Sequence, residues 1–136
     1  MVPAGLRPGF TLIELVVIIF VLLLFLGMAF IGATAWKRGA DRSGCLLNIR
    51  HMQVAVRGFA NSRGLHPGAD TASTFPPLML EAEIVGVGKF IPSTPNCPGK
   101  GLYTLGGNTV PPIGTLYMTC SLEETEDHIP SQIGSW

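Results

Sequence analysis

The side chains best suited to chemistry are few and widely spaced. Three cysteines, Cys45, Cys97 and Cys120, and three histidines, His51, His66 and His128, are spread over 136 residues. No Cys-x-x-Cys pair and no Cys/His spacing of a zinc or redox motif occurs among them, so no metal site is expected. Three cysteines admit three disulfide pairings, each leaving one thiol over. Glu123, Glu124, Glu126 and Asp127 offer the oxygen ligands that calcium takes. The run lacks the alternating Asp-x-Asp-Gly pattern of a calcium loop, so a solvated acidic loop is expected. Calcium is the one cofactor candidate, and otherwise none is expected. No nucleophile–base motif, phosphate loop or cofactor fingerprint is visible, which argues against an enzyme. That leaves Glu14. Thr11-Leu12-Ile13-Glu14 has the S/T-x-x-E form of a helix capping box, and a carboxylate at a helix N-terminus also complements the dipole.

The elements that must carry these residues divide sharply. Overall the chain is 47% hydrophobic and 13% charged, with a mean hydropathy of +0.41. The excess is local: Leu15 to Trp36 carries no charge. At about 1.5 Å per residue this run can cross a hydrocarbon core of roughly 30 Å. Glu14 therefore enters a membrane, where a central charge costs roughly 2.5–3.5 kcal/mol and usually has a partner.

No proline occurs between Phe10 and His66, so one helix is expected from Phe10 or Thr11 to about Asn61–Gly64, followed by Pro67-Gly68. If helical throughout, it would be roughly 80 Å long. Gly27, Gly32, Gly39, Gly44 and Gly58 would each weaken it by about 1 kcal/mol, with bending or melting expected around Gly27 to Gly32. In its second half Leu46, Ile49, Gln53, Val56 and Ala60 recur at 3–4 spacing, widened by Met52 and Phe59. Arg50, Arg57, Asn61 and Arg63 lie largely off that stripe.

Beyond the helix, "LMLEAEIVGVG" reads as a short helix or apolar segment. "GLYTLGGN" and "GTLYMTCSL" read as two antiparallel strands joined by a longer loop. The fold class is therefore α+β: a long N-terminal α-helix, half transmembrane and half amphipathic, packed on a small antiparallel β-sheet domain. Nine basic and nine acidic residues balance. Six of the basic ones, Lys37, Arg38, Arg42, Arg50, Arg57 and Arg63, are spread along the helix and read as a solvated face, so no nucleic-acid partner is expected.

Gly9-Phe10-Thr11-Leu12-Ile13-Glu14, followed by the apolar run, resembles the processing signal of type IV pilins and type II secretion pseudopilins. The resemblance implies a leader at 1–9, cut after Gly9, and methylation of the new amino terminus at Phe10. It also implies a transmembrane and polymerisation helix over 10–36, an amphipathic half over 37–64 and a small globular domain over 65–136. Glycine suits such a cut, because a peptidase can approach its backbone closely. Glu14 falls on the family's intramembrane glutamate, whose implied partner is the Phe10 amine of a neighbouring subunit. Two features depart from the family pattern: Arg7 is the leader's only basic side chain, and Pro8 precedes the glycine.

A second stretch, from "CPGKGLYTL" to "TCSLEETEDHIP", is similar to the C-terminal end of some short pseudopilin-like proteins. It matches at Cys97, Pro98, Gly101, Tyr103, Cys120, His128 and Pro130, all read as structural.

The function implied is that of a structural subunit assembling into a type II secretion pseudopilus or a type IV pilus-like filament. Implied partners are copies of itself, other pilin-like subunits, a prepilin peptidase/methyltransferase, an inner-membrane assembly platform and lipid. The implied location is the inner membrane, single-pass, with the C-terminal domain in the periplasm, and then the filament. That oxidising side of the membrane permits a Cys97–Cys120 disulfide, both residues lying in the globular domain, with Cys45 left unpaired. Closing it would contribute roughly 3 kcal/mol. The alternative is a periplasmic binding or enzymatic domain that uses the same helix as a passive anchor. A secretory signal peptide cut near Ala33–Ala35 is disfavoured by the length of the apolar run and by Glu14.

Overall fold

The computed structural model describes residues 9–136. The expected leader therefore falls, apart from Gly9, outside the described residues, as do Arg7 and Pro8. The elements run in the order α1 (Leu12–Arg63), a 3-10 turn (Thr71–Ser73), α2 (Leu80–Ile84), β1 (Tyr103–Leu105) and β2 (Met118–Cys120). The chain divides into two compact units, Met1–Lys37 and Arg38–Trp136.

In the first unit α1 is helical through Gly27 and Gly32, so the melting expected there does not occur. Apolar side chains on all sides of this helix are exposed, from Leu12 through Ile31 to Trp36. One window of the helix is long and apolar enough to cross a membrane, with a mean hydropathy of 3.1. In hydrocarbon a single segment must satisfy its own backbone groups, and a helix does so despite weak local propensity. At its start the Glu14 carboxylate reaches back to Thr11 N–H at 3.5 Å, and the Thr11 hydroxyl donates to the same carboxylate at 3.4 Å. These are long hydrogen bonds, and the first of them is one half of a capping box.

In the second unit α1 buries Cys45, Ile49, Met52, Gln53, Ala55, Val56, Phe59 and Ala60. Residues 45, 49, 52, 56 and 59 recur at 3–4 spacing, so one face of the helix points into the core. That stripe agrees with the expected one except at Leu46, which is half-buried, while Cys45 and Ala55 join it. The helix stops at Gly64, whose φ of 65° suits a residue without Cβ. Leu65 N–H donates to Ala60 C=O at 2.8 Å and Gly64 N–H to Asn61 C=O at 3.3 Å, the two bonds of a Schellman motif.

The sheet is a single antiparallel pair with Tyr103 opposite Cys120 and Leu105 opposite Met118. Alternation along β2 turns Met118 and Cys120 inward and leaves Thr119 half-exposed. Two strands of this length are marginal alone and depend on the helix they cover. Gln53 makes the main polar link. Its Nε2 donates to Thr115 C=O at 3.0 Å and its Oε1 accepts from Tyr117 N–H at 2.8 Å. Arg57, expected on a solvated face, is half-buried. It donates to the carbonyls of Pro111 at 2.7 Å and Pro112 at 3.0 Å and to Trp136 O at 2.9 Å. The core adds Leu80, Ile84, Val110, Tyr117 and Met118 to the helical stripe.

Candidate functional site: a buried cluster of three cysteines and a histidine

Four separate segments converge beneath the first turns of the second unit. Cys45 comes from the buried stripe of α1, Cys120 from the inward face of β2, Cys97 from the loop before β1, and His128 from the loop after β2. All four are buried. One ligand atom from each lies within 4.8 Å of every other. Cys97 Sγ and Cys120 Sγ are 3.8 Å apart. His128 Nδ1 sits 3.4 Å from Cys97 Sγ and 3.9 Å from Cys120 Sγ.

The loops that present these ligands share a local design. In Cys97-Pro98-Gly99-Lys100-Gly101, Lys100 N–H closes a turn onto Cys97 C=O at 2.9 Å, and Lys100 adopts a φ of 66°. The amides of Gly101 and Gly99 then face the Cys97 sulfur. After β2, Glu123 N–H closes the corresponding turn onto Cys120 C=O at 3.1 Å, and the Leu122 amide faces the Cys120 sulfur. The third sulfur, Cys45 Sγ, accepts from the Tyr103 hydroxyl at 3.4 Å, which Asn48 Nδ2 supports at 3.2 Å. The hydroxyl of Tyr103 thus donates to one sulfur, and backbone amides lie near the other two.

Two glycines make room for this packing. A Cβ on Gly101 would lie 2.5 Å from Cys120 Sγ, and one on Gly99 would lie 2.8 Å from His128 Cε1. His128 swings inward from a turn in which Asp127 takes a φ of 56°. Arg42 on α1 holds that turn, donating from Nε to Asp127 C=O at 2.7 Å and pairing with its carboxylate.

The electrostatics differ from thiol to thiol. Burial pushes Cys45 up to about 12, against the opposing Tyr103 hydrogen bond. Burial also raises Cys97, but the amides of Gly101 and Gly99 and the neighbouring thiols outweigh it and hold this group below its ordinary value. Cys120 is raised, chiefly by burial. His128 Nε2 is buried without a hydrogen-bond partner, and the Glu126 carboxylate is 3.7 Å away.

Comparison with protein-family models, with curated proteins and with solved structures yields no match for this chain.

The expected Cys97–Cys120 pair is brought together, but as free thiols: 3.8 Å separates sulfurs that a disulfide holds at about 2.05 Å. Cys45, expected to be left over, stands in the same cluster. His128 completes it; the second resemblance groups it with Cys97 and Cys120, though as structural positions and not as ligands. The signal that could have found the site is the core stripe itself, since Cys45 lies one turn before Ile49 on it. Tyr103 packs at the cluster's edge. The acidic run forms no ligand group of its own among the described residues, and Asp127 is turned to Arg42. Gly9, Phe10 and Glu14 are exposed and lie in the first unit.

Proposed function

We propose that this protein is a type IV pilin-like structural subunit, a pseudopilin or pilin precursor and not an enzyme. It would be cleaved after Gly9, methylated at Phe10 and assembled through its apolar helix. The observation that carries the reading is the first unit. Its helix presents apolar side chains on every side, is interrupted by no charge between Leu15 and Trp36, and opens on a carboxylate at Glu14. A passive anchor needs the apolar length but not the carboxylate. Among the described residues Glu14 meets only long hydrogen bonds from Thr11, which leave it lone pairs for a cation from another chain. A free Phe10 amine supplies such a cation, and many apolar helices side by side supply the packing surface.

In this reading the second unit sits outside the inner membrane, and the subunit's partners are its own copies, related subunits and the processing peptidase. Intact-mass measurement of the mature protein from its native membrane tests it. The expected result is loss of 1–9 with the gain of one methyl group. A chain that keeps its first nine residues, or one that begins at Trp36, overturns the proposal.

A further inference from the structure

We infer that Cys45, Cys97, Cys120 and His128 hold a structural zinc ion in the second unit. Geometry comes first. With Zn–S near 2.3 Å and Zn–N near 2.0–2.1 Å, a tetrahedral site has S···S edges of about 3.8 Å and S···N edges of about 3.6 Å. The separations found are 3.8 Å between Cys97 and Cys120 sulfurs, and 3.4 and 3.9 Å from those sulfurs to His128 Nδ1. Contact between free thiols and an imidazole would set similar separations, so what points to a metal is that four ligand atoms from four separate segments all lie within 4.8 Å of one another.

The surroundings point the same way. His128 is 1% exposed and its Nε2 has no hydrogen-bond partner. With Nδ1 on a metal, Nε2 carries the proton and faces the Glu126 carboxylate, the arrangement by which a carboxylate orients a metal-bound imidazole. Backbone amides face Cys97 and Cys120, and a tyrosine hydroxyl donates to Cys45. Donors directed at every sulfur stabilise thiolates, which are the forms that bind metal. Binding would send three thiol protons to solvent and leave the centre with a net charge of −1, which those donors offset.

The donor set selects the ion. Thiolate and imidazole are poor ligands for calcium or magnesium, and iron–sulfur clusters ordinarily take four thiolates. Three sulfurs and one nitrogen filling all four positions make a closed site, structural in kind, with no place left for a substrate or water. This inference does not rest on filament assembly. A passively anchored domain could hold the same ion.

The test is elemental analysis of the full chain, purified in detergent without chelator. One zinc per chain is expected, released in step with titration of three thiols by a mercurial reagent. His128→Cys should keep that stoichiometry and His128→Ala should lower it, while His51→Ala, which alters an exposed histidine, should not. Should the His128 variants fail to fold, the wild-type chain answers alone. Cobalt added after reduction and metal removal should give the visible bands of tetrahedral thiolate-bound Co2+, bleached by one equivalent of zinc. A Cys97–Cys120 disulfide in the native protein, a different bound metal, or no tetrahedral cobalt spectrum would overturn the inference.

Discussion

Gly101 illustrates how little freedom single residues have here. It lies beside the Cys120 sulfur, and the 2.5 Å a Cβ would leave is well inside van der Waals contact. Either the sulfur or the whole Cys97–Gly101 turn must move. The neighbouring Gly99 leaves only slightly more space, against His128. Gly101→Ala should therefore destabilise the chain by about 1–3 kcal/mol, the usual range for overpacking a tight site. A lower midpoint in urea unfolding of the detergent-solubilised chain would show it. The same change should loosen metal retention against a chelator, because the displaced group is a ligand. A glycine chosen only to make a turn could show the first effect but not the second.

At the scale of elements, Gln53 ties the segment before β2 to α1 alongside the apolar packing. Its amide satisfies one carbonyl and one N–H from the segment leading into β2. Gln53→Leu keeps the volume and removes both bonds. The expected cost is about 1–3 kcal/mol for each buried group left unpaired, read from the same urea titration. Ordinary helix packing would predict little change, since leucine belongs in a core.

Much of this level could be read from the chain itself. The 3–4 stripe placed Ile49, Gln53, Val56 and Ala60 inside, and the Gly/Pro-bounded segments located both strands. Arg57 was misplaced because its partners are carbonyls more than 50 residues away, which no local pattern reveals. The cysteine–histidine cluster was hidden for the same reason. Its ligands come from a helix, a strand and two loops, and only the closed fold gives them a common centre. Where a zinc motif is local, spacing announces it; here the information lies in the core stripe that aims Cys45 inward and in the glycines that let two turns close.

For the whole molecule, the first unit carries the argument for assembly and the second the argument for folding. Glu14→Ala separates anchoring from assembly. The apolar run between Leu15 and Trp36 is untouched, so membrane fractionation should be unchanged, while recovery of assembled filaments should fall sharply. Filaments formed at the wild-type level would count against a role for Glu14 in pairing. The second unit has a small core and a two-stranded sheet, and a bound ion would add to the little stability that two such strands supply.

The order of the four ligands adds a constraint in time. Cys45 is made first and His128 last, roughly 80 residues later, which at roughly 5–20 residues per second is on the order of 4–16 s. If the second unit crosses into an oxidising space as it is synthesised, as the proposed function has it, its thiols arrive before its imidazole. Oxidation and metal capture then compete while the fold is still incomplete, and the outcome depends on which is faster as much as on which product is more stable.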